Sequence, residues 1–338
     1  MQFYAAFVNY LRKKCIKMKT LADIKKIAVL GAGTMGPGIA QTYAMGGYAV
    51  TMWTRSEATR EKAKAALRTQ LETFAEEGEI AAADVETVLG RIDFALTVEE
   101  AVAGADFIQE TIVENRDAKT ALYEQLAACV PSDVIIASNT SAMNIFEVVP
   151  EKLLPQQIIC HWYAPPQLIP LVEVVKSEQA PQEYADIAMA ILKNCGKTAV
   201  LMKKFIRGYI VNRLQQCLNR EVFYLLDNGY CDAEAIDLAA KASFIPRACV
   251  LGLVKRADFG GLDMTANNYK NHSYTMPEHG DEMPTSLAAH VDAGELGIKT
   301  GKGFYDYSGV DIEALKQKRD KQLFEVFRLE KKFLGDPV

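Results

Sequence analysis

The chain has 338 residues, of which 49% are apolar and 24% charged, with a formal net charge of −5. That length allows two domains, each with a core of its own. There is no basic face or tail, and no apolar run nears the roughly 18 residues of a membrane span, so nucleic acid and a bilayer are excluded as partners.

Seven cysteines, at 15, 129, 160, 195, 217, 231 and 249, are scattered and form no C-x-x-C. The pattern predicts reduced thiols in a cytoplasmic protein, with neither a disulfide framework nor a metal site. Residues 1–20 read as an N-terminal extension. MQFYAAFVNYLRKKCIK is aromatic and ends basic, yet it has no small-residue cleavage site. Met18 opens a natural start, so the stretch is read as an upstream start codon or a loosely docked helix, without a share in function.

Ile27 to Leu30 form a short apolar run, as a buried parallel strand does. Gly31, Gly33 and Gly36 follow at G-x-G-x-x-G spacing, and 39–45 reads as a helix. The first glycine allows a tight turn, the second lets backbone approach a pyrophosphate, and the third lets helix and strand pack closely. The helix N-terminus offers unpaired N–H groups to the phosphates. Such a motif occurs by chance in loops, but between a strand and a helix it predicts a dinucleotide site. Thr34 and Met35 in the turn are counted among the cofactor contacts.

Residues 48–53 read as the second strand, whose end meets the adenosine ribose in this kind of fold. An Asp or Glu there selects NAD. Thr54, Arg55 and Ser56 stand in its place, with no carboxylate before Glu57. Two hydroxyls and a guanidinium suit a 2′-phosphate, so NADP is favoured over NAD. The alternative is a solvated loop arginine with NAD bound.

Helices are expected over 57–77 and 82–88, a strand over 93–96, a helical turn over 98–102 and a strand over 106–110. A helix over 118–128 leads to a strand over 133–137, and this alternation is that of a doubly wound parallel sheet. Apolar runs at 158–160 and 171–175 flank a proline-punctuated loop, and 198–202 is the last strand. From 209 the texture changes to amphipathic helices at 209–228, 232–242, 247–257 and 261–270. A loop over 275–285 and a charged helix over 311–333 follow. The predicted class is α/β plus all-α: a Rossmann-type doubly wound sheet in a dinucleotide-binding domain over 21–206, then a helical substrate and dimerisation domain over 207–338.

The chain has four histidines. His272, His279 and His290 sit in helical or polar loop settings and are expected in solvent. His161 closes an apolar strand. Glu173 is a carboxylate inside an otherwise apolar run, which is costly unless paired. If the intervening loop folds back, Glu173 meets His161 and holds one tautomer. Ser141 and Asn139 follow another buried strand, at the carboxyl edge where ligands bind in such sheets. Asn212 sits near the start of the second domain's first helix. Together these groups would make a proton-transfer site beside a nicotinamide.

GAGTMGPGIAQ (31–41), ETIVEN (110–115), SNTS (138–141), HWYAPPQLIPLVEVV (161–175), GYIVNR (208–213) and GKGFYDY (301–307) occur in that order. With them the sequence resembles the 3-hydroxyacyl-CoA dehydrogenase family, which includes lambda-crystallin and L-gulonate dehydrogenase relatives. The resemblance implies an NAD(P)-dependent oxidoreductase that interconverts a 3-hydroxy and a 3-oxo acyl compound, and a homodimer joined through the helical domain. By position it implies His161 as general acid/base, Glu173 orienting it, and Ser141 and Asn212 hydrogen-bonding the reacting oxygen. It places Glu114, Asn115 and Asn139 along the nicotinamide ribose and Lys119 near the cofactor.

The sequence departs from the family in several places. Thr54-Arg55 replaces its ribose-binding Asp, its HFFNP reads HWYAP (161–165), and the Pro before GFIVNR is Arg207. The lysine-rich stretch that meets CoA reads LETFAEEGE here (71–79), acidic and without lysine. That weakens acyl-CoA as substrate and makes a small free 3-hydroxy acid the alternative; the stretch's other reading is a solvated helix end, with CoA met elsewhere. Arg247 resembles a carboxylate-clamping arginine of the small-substrate members; its other reading is a helix-capping surface residue. A non-catalytic, crystallin-like dinucleotide-binding protein is the remaining alternative, and intact His161, Glu173, Ser141 and Asn212 argue against it.

Overall fold

The computed structural model describes residues 19–271 and 282–335. Residues 1–17, His272, His279 and most of the predicted 275–285 loop lie outside the described residues. Eight strands form one sheet in the order β3-β2-β1-β4-β5-β6-β7-β8. They are β1 Lys26–Leu30, β2 Ala49–Trp53, β3 Ile92–Ala95, β4 Phe107–Glu110, β5 Ile135–Ser138, β6 Gln157–Trp162, β7 Leu171–Lys176 and β8 Thr198–Leu201. Pairs among β1 to β6 are parallel. The doubly wound parallel pattern breaks at one pair, because β6 and β7 run antiparallel. Only residues 163–170 link those two strands, too few for the helical crossover that parallel neighbours need.

Helices α1 Gly36–Met45, α2 Glu57–Glu76, α3 Asp84–Leu89, α4 Val98–Val102, α5 Arg116–Cys129 and α6 Gln182–Asn194 belong to the same unit as the sheet. Successive side chains of β1 point to opposite faces. Ile27 and Val29 join one core with Ile39, Tyr43 and Leu67, while Ala28 and Leu30 join another with Ile108, Tyr123 and Leu126. Helix α2 buries Ala63, Leu67, Leu71 and Phe74 on one stripe, and the Ser56 hydroxyl caps it by accepting the Thr59 N–H at 3.2 Å. Helix α1 starts a turn earlier than expected, at Gly36-Pro37, because proline is favoured in a first helical turn, where its missing N–H has no intrahelical partner. Helix α6 was not anticipated from the sequence. Its buried Tyr184, Ala185, Ile187, Ala188, Ile191 and Leu192 make it the crossover between the parallel pair β7 and β8.

The chain divides between Ile210 and Val211 into two compact units. Tyr209, fully buried, and Ile210 thus belong to the first unit. The second holds α7 Val211–Asp227, α8 Ala233–Ala239, a π-helical turn Ala240–Phe244, α9 Ile245–Leu251, α10 Leu253–Gly260, α11 Leu262–Lys270, α12 Thr285–Asp292 and α13 Ile312–Gly335. Among its described residues, Phe324 is the one buried large apolar side chain. His290 is not in solvent as expected. It is half-buried, with Nδ1 2.7 Å from Glu295 and its ring 4.4 Å from that of Phe304. The six described cysteines are unpaired, and the described residues hold no cluster fit for a metal. No described helix is long and apolar enough to cross a membrane.

Candidate active site

The strand-to-helix turn after β1 is shaped by what its glycines touch. Gly31 has φ +121°, and a Cβ there would stand 2.7 Å from the Thr111 carbonyl oxygen. A Cβ on Gly36 would stand 2.0 Å from the Gly31 carbonyl oxygen. Gly33 differs: a Cβ on it would meet nothing within 4 Å. It faces a cleft of about 670 Å³ at the carboxyl edge of the sheet, lined also by Thr34, Met35, Trp53, Glu114 and Ser141. Open space over a bare backbone at a helix N-terminus is what a pyrophosphate needs, so these residues fit a dinucleotide. A second depression of about 680 Å³ lies between α2 and β3. Its Arg60, Lys64 and Arg68 are paired with Glu57, Glu61 and Glu86, which leaves it little net charge.

Of the residues predicted at the ribose, Arg55 lines the cleft, next to Thr59. Thr54 and Ser56 do not. Thr54 is 1% exposed and its buried hydroxyl has no hydrogen-bond partner among the described residues, while Ser56 serves as the cap of α2. The predicted triple contact is thereby reduced to one guanidinium.

Glu114 holds the loop after β5. Its Oε1 accepts from the Thr140 hydroxyl at 2.5 Å and from the N–H groups of Ser141, Ala142 and Met143 at 3.1–3.3 Å. Burial pushes the Glu114 carboxyl up, but Thr140, the Lys119 ammonium and the N–H groups of Ala142 and Met143 outweigh it and hold it below the usual range. Glu114 is therefore an anion that fixes Ser141 in the cleft wall. Asn115 caps α5 through the Ala118 N–H at 2.9 Å. Lys119 is fully buried under the cleft, 2.7 and 2.8 Å from the two oxygens of the equally buried Glu110 and 3.2 Å from the Asn139 carbonyl. Its contacts brace the ends of β4 and β5.

Asn139 ties the cleft to the next strand. Its Nδ2 donates to the Thr111 hydroxyl at 3.2 Å, and its Oδ1 accepts the Trp162 N–H at 3.0 Å. The neighbouring residue is His161. The β6–β7 ladder sets His161 directly opposite Glu173, so both side chains stand on one face. Nδ1 of His161 lies 3.0 Å from Oε2 of Glu173, and the two residues are 2% and 1% exposed. The Tyr163 hydroxyl donates to the same Oε2 at 2.6 Å, and the Ile210 N–H donates to Oε1 at 2.9 Å. These donors compensate for the burial of a carboxylate. The imidazole lies against two phenol rings, Tyr209 stacked at 4.4 Å and Tyr163 tilted at 4.5 Å. With Glu173 as acceptor, Nδ1 carries a proton and Nε2 is left for proton exchange.

Asn212 and Arg247 lie in the second unit. Asn212 is the second residue of α7, and exposed Arg247 donates from Nε to the Ser243 carbonyl at 3.2 Å. Sequence reasoning overlooked Glu110, Thr140, Tyr163 and Tyr209 as parts of the site. Glu110 carried a signal like that of Glu173, an acid in an otherwise buried strand. The two tyrosines carried none beyond their nearness to His161 and Asn212.

A model of the 3-hydroxyacyl-CoA dehydrogenase NAD-binding domain matches residues 26–205, and one of the C-terminal domain matches residues 208–307. The chain is 36% identical over 286 residues to a probable 3-hydroxybutyryl-CoA dehydrogenase of Bacillus subtilis (strain 168), covering 84% of this chain and 98% of that protein. It is 30% identical over 310 residues to the 5-formyl-3-hydroxy-2-methylpyridine 4-carboxylate 5-dehydrogenase of Mesorhizobium japonicum, covering 90% and 98%. A crystal structure of a dehydrogenase of that name, described as an NAD+-dependent dismutase, is similar with a TM-score of 0.80 and 27% identity, over 91% and 99% of the two chains. Matched along both stretches, and spanning its relatives nearly end to end, the chain belongs to the 3-hydroxyacyl-CoA dehydrogenase family of NAD(P)-dependent oxidoreductases acting on CH–OH groups.

Proposed function

We propose that the protein interconverts a 3-hydroxy and a 3-oxo acyl compound with His161 as the proton carrier, and that it prefers NADP(H). The observation that carries this reading is the His161–Glu173 pair, buried on adjacent strands and joined through Asn139 to the glycine-lined cleft. A bound nicotinamide supplies the hydride acceptor or donor. Nε2 of His161 takes the hydroxyl proton in oxidation and returns it in reduction, while Glu173 holds the ring and offsets its charge. Ser141, on the cleft wall, and Asn212 hydrogen-bond the reacting oxygen.

The preference for NADP(H) rests on Arg55, the cation at the position where an acid would select NAD. Arg55→Ala is expected to raise the KM for NADPH about tenfold, the low end for a lost charge-assisted contact at an exposed site, and to leave that for NADH unchanged. Equal effects on both cofactors would refute the preference.

A narrower substrate, a small 3-hydroxy acid without CoA, is favoured by Glu72, Glu76, Glu77 and Glu79 at the end of α2 and beyond it. Arg247 would then hold the free carboxylate. The deciding experiment is a panel of acetoacetyl-CoA and free 3-oxo acids under NADH and NADPH. Turnover of none of them, with dinucleotide still bound, would leave the non-catalytic reading. We place the enzyme in the cytoplasm as a homodimer. The helical unit supports the dimer, since Val254 and Tyr269 are more than four-fifths exposed and Phe259, Leu262 and Met264 more than three-fifths.

A further inference from the structure

The oxygen of Glu173 that faces His161 also serves a second donor. The Tyr163 hydroxyl lies 2.6 Å from Oε2, closer than Nδ1 of His161 at 3.0 Å. Burial and the neighbouring Glu173 both push the Tyr163 phenol well up, so it remains a donor across the working pH range. The phenol thus competes with the imidazole for one lone-pair-bearing atom. We propose that Tyr163 is a positioning residue that shares Glu173 with His161, and that by drawing on Oε2 it weakens the carboxylate's hold on the imidazolium form and keeps Nε2 ready to accept a proton.

Four features of the site bear on this. The Ile210 N–H occupies Oε1, which fixes the carboxylate plane and leaves Oε2 as the atom shared by ring and phenol. Tyr163 is two residues beyond His161, and its ring tilts against the imidazole at 4.5 Å, so its hydroxyl is aimed by packing as well as by the bond. Among the described residues, the titratable groups that face His161 are Glu173 from β7, Tyr163 from the loop after β6, and Tyr209 from the segment before α7. Burial, with Glu114 and Glu173 nearby, pushes the Tyr209 phenol up as well, so it adds no charge to the site. The Glu173 carboxylate is therefore the charge that sets the balance, and Tyr163 is the neutral donor that moderates it.

This inference rests on His161 being the proton carrier, and the test separates the two ideas. Tyr163→Phe keeps the ring and removes the donor. The His161 signal in the cofactor-free protein can be followed by NMR against pH. The chain has four histidines in all, and His161→Gln identifies the signal by its loss. In Tyr163→Phe the His161 midpoint is expected to move up by about half to one pH unit, the size expected when a carboxylate loses one strong donor. In alcohol oxidation the rise of kcat/KM with pH should move by the same interval. Below it the rate should fall roughly three- to tenfold, with the cofactor KM unchanged. A merely structural tyrosine would lower the rate equally at every pH with an unmoved midpoint, and that result overturns the proposal. If the midpoint moves while His161→Gln retains full turnover, the sharing stands and the assignment of His161 as proton carrier is what fails.

Discussion

The three glycines of the turn share one motif but face different surroundings, and this separates folding from binding. In Gly36→Ala the new methyl carbon falls 2.0 Å from the Gly31 carbonyl oxygen, about 1.4 Å inside ordinary contact. The obstacle is backbone, so no rotamer change relieves it. Forcing such an overlap costs about 1–3 kcal/mol, roughly 2–4 °C in Tm per kcal/mol for a chain of some 200 residues and somewhat less for a longer one. In Gly33→Ala the same carbon meets nothing within 4 Å. The cofactor-free protein should keep its Tm, with a shift of under about 1 kcal/mol in either direction. The methyl instead occupies the room reserved for the pyrophosphate, so dinucleotide affinity should fall at least tenfold, or about 1.4 kcal/mol. Thermal unfolding without cofactor and a fluorescence titration with NADH and NADPH give both quantities. The reasoning is refuted if Gly33→Ala binds dinucleotide like the parent, or if it loses as much cofactor-free stability as Gly36→Ala.

Two further outcomes follow from a group beneath the cleft and from one at the opposite edge of the sheet. Lys119→Met leaves the fully buried Glu110 without its cation and should cost about 3–5 kcal/mol, whereas adding Glu110→Gln to it should recover much of that loss; chemical denaturation of both variants measures this, and a loss under about 1 kcal/mol for the single change would contradict it. At Asp106, burial pushes the carboxyl up, but the Lys19 ammonium and the N–H groups of Lys26 and Lys25 outweigh it and leave it lowered. Its folded form therefore releases the proton more readily than the unfolded chain, so its stabilisation is complete above roughly pH 4 to 5 and is lost as pH falls through the folded value. Asp106→Asn should lower Tm at neutral pH by an amount worth about 1 kcal/mol after allowance for solvent screening and flatten the acid limb of Tm against pH; an unchanged limb would sink this reading.

The legible parts of this molecule were those whose signal is local. Ile27 to Gly36 announced a strand, a turn and a helix because each step has its own residue chemistry, and the turn took that form. His161 and Glu173 could be paired from sequence because an acid in an apolar strand demands a partner. What escaped was set by neighbours distant in sequence. Thr54 was read as a ligand contact, yet its hydroxyl is turned into the protein, a choice made by packing around β2. The acid that pairs with Lys119 of helix α5 is Glu110 at the end of β4, a contact made only when helix and sheet pack. The hydroxyl of Tyr163 gained its meaning only when β7 brought Glu173 beside it. Helix α6 was overlooked even though a parallel pair β7–β8 cannot exist without a crossover.

The pairing of His161 with Glu173 is a matter of register, and register has no intermediate values. A strand that slips by one residue turns every side chain to the wrong face, and the next slip that restores the faces is a jump of roughly 7 Å. Slow wear of the surrounding surface therefore cannot detune the distance between acid and imidazole by slipping the strands a little at a time. The site is kept whole or lost in one step, and a descendant of this chain that still forms the ladder still sets an imidazole against a carboxylate wherever those two residues remain.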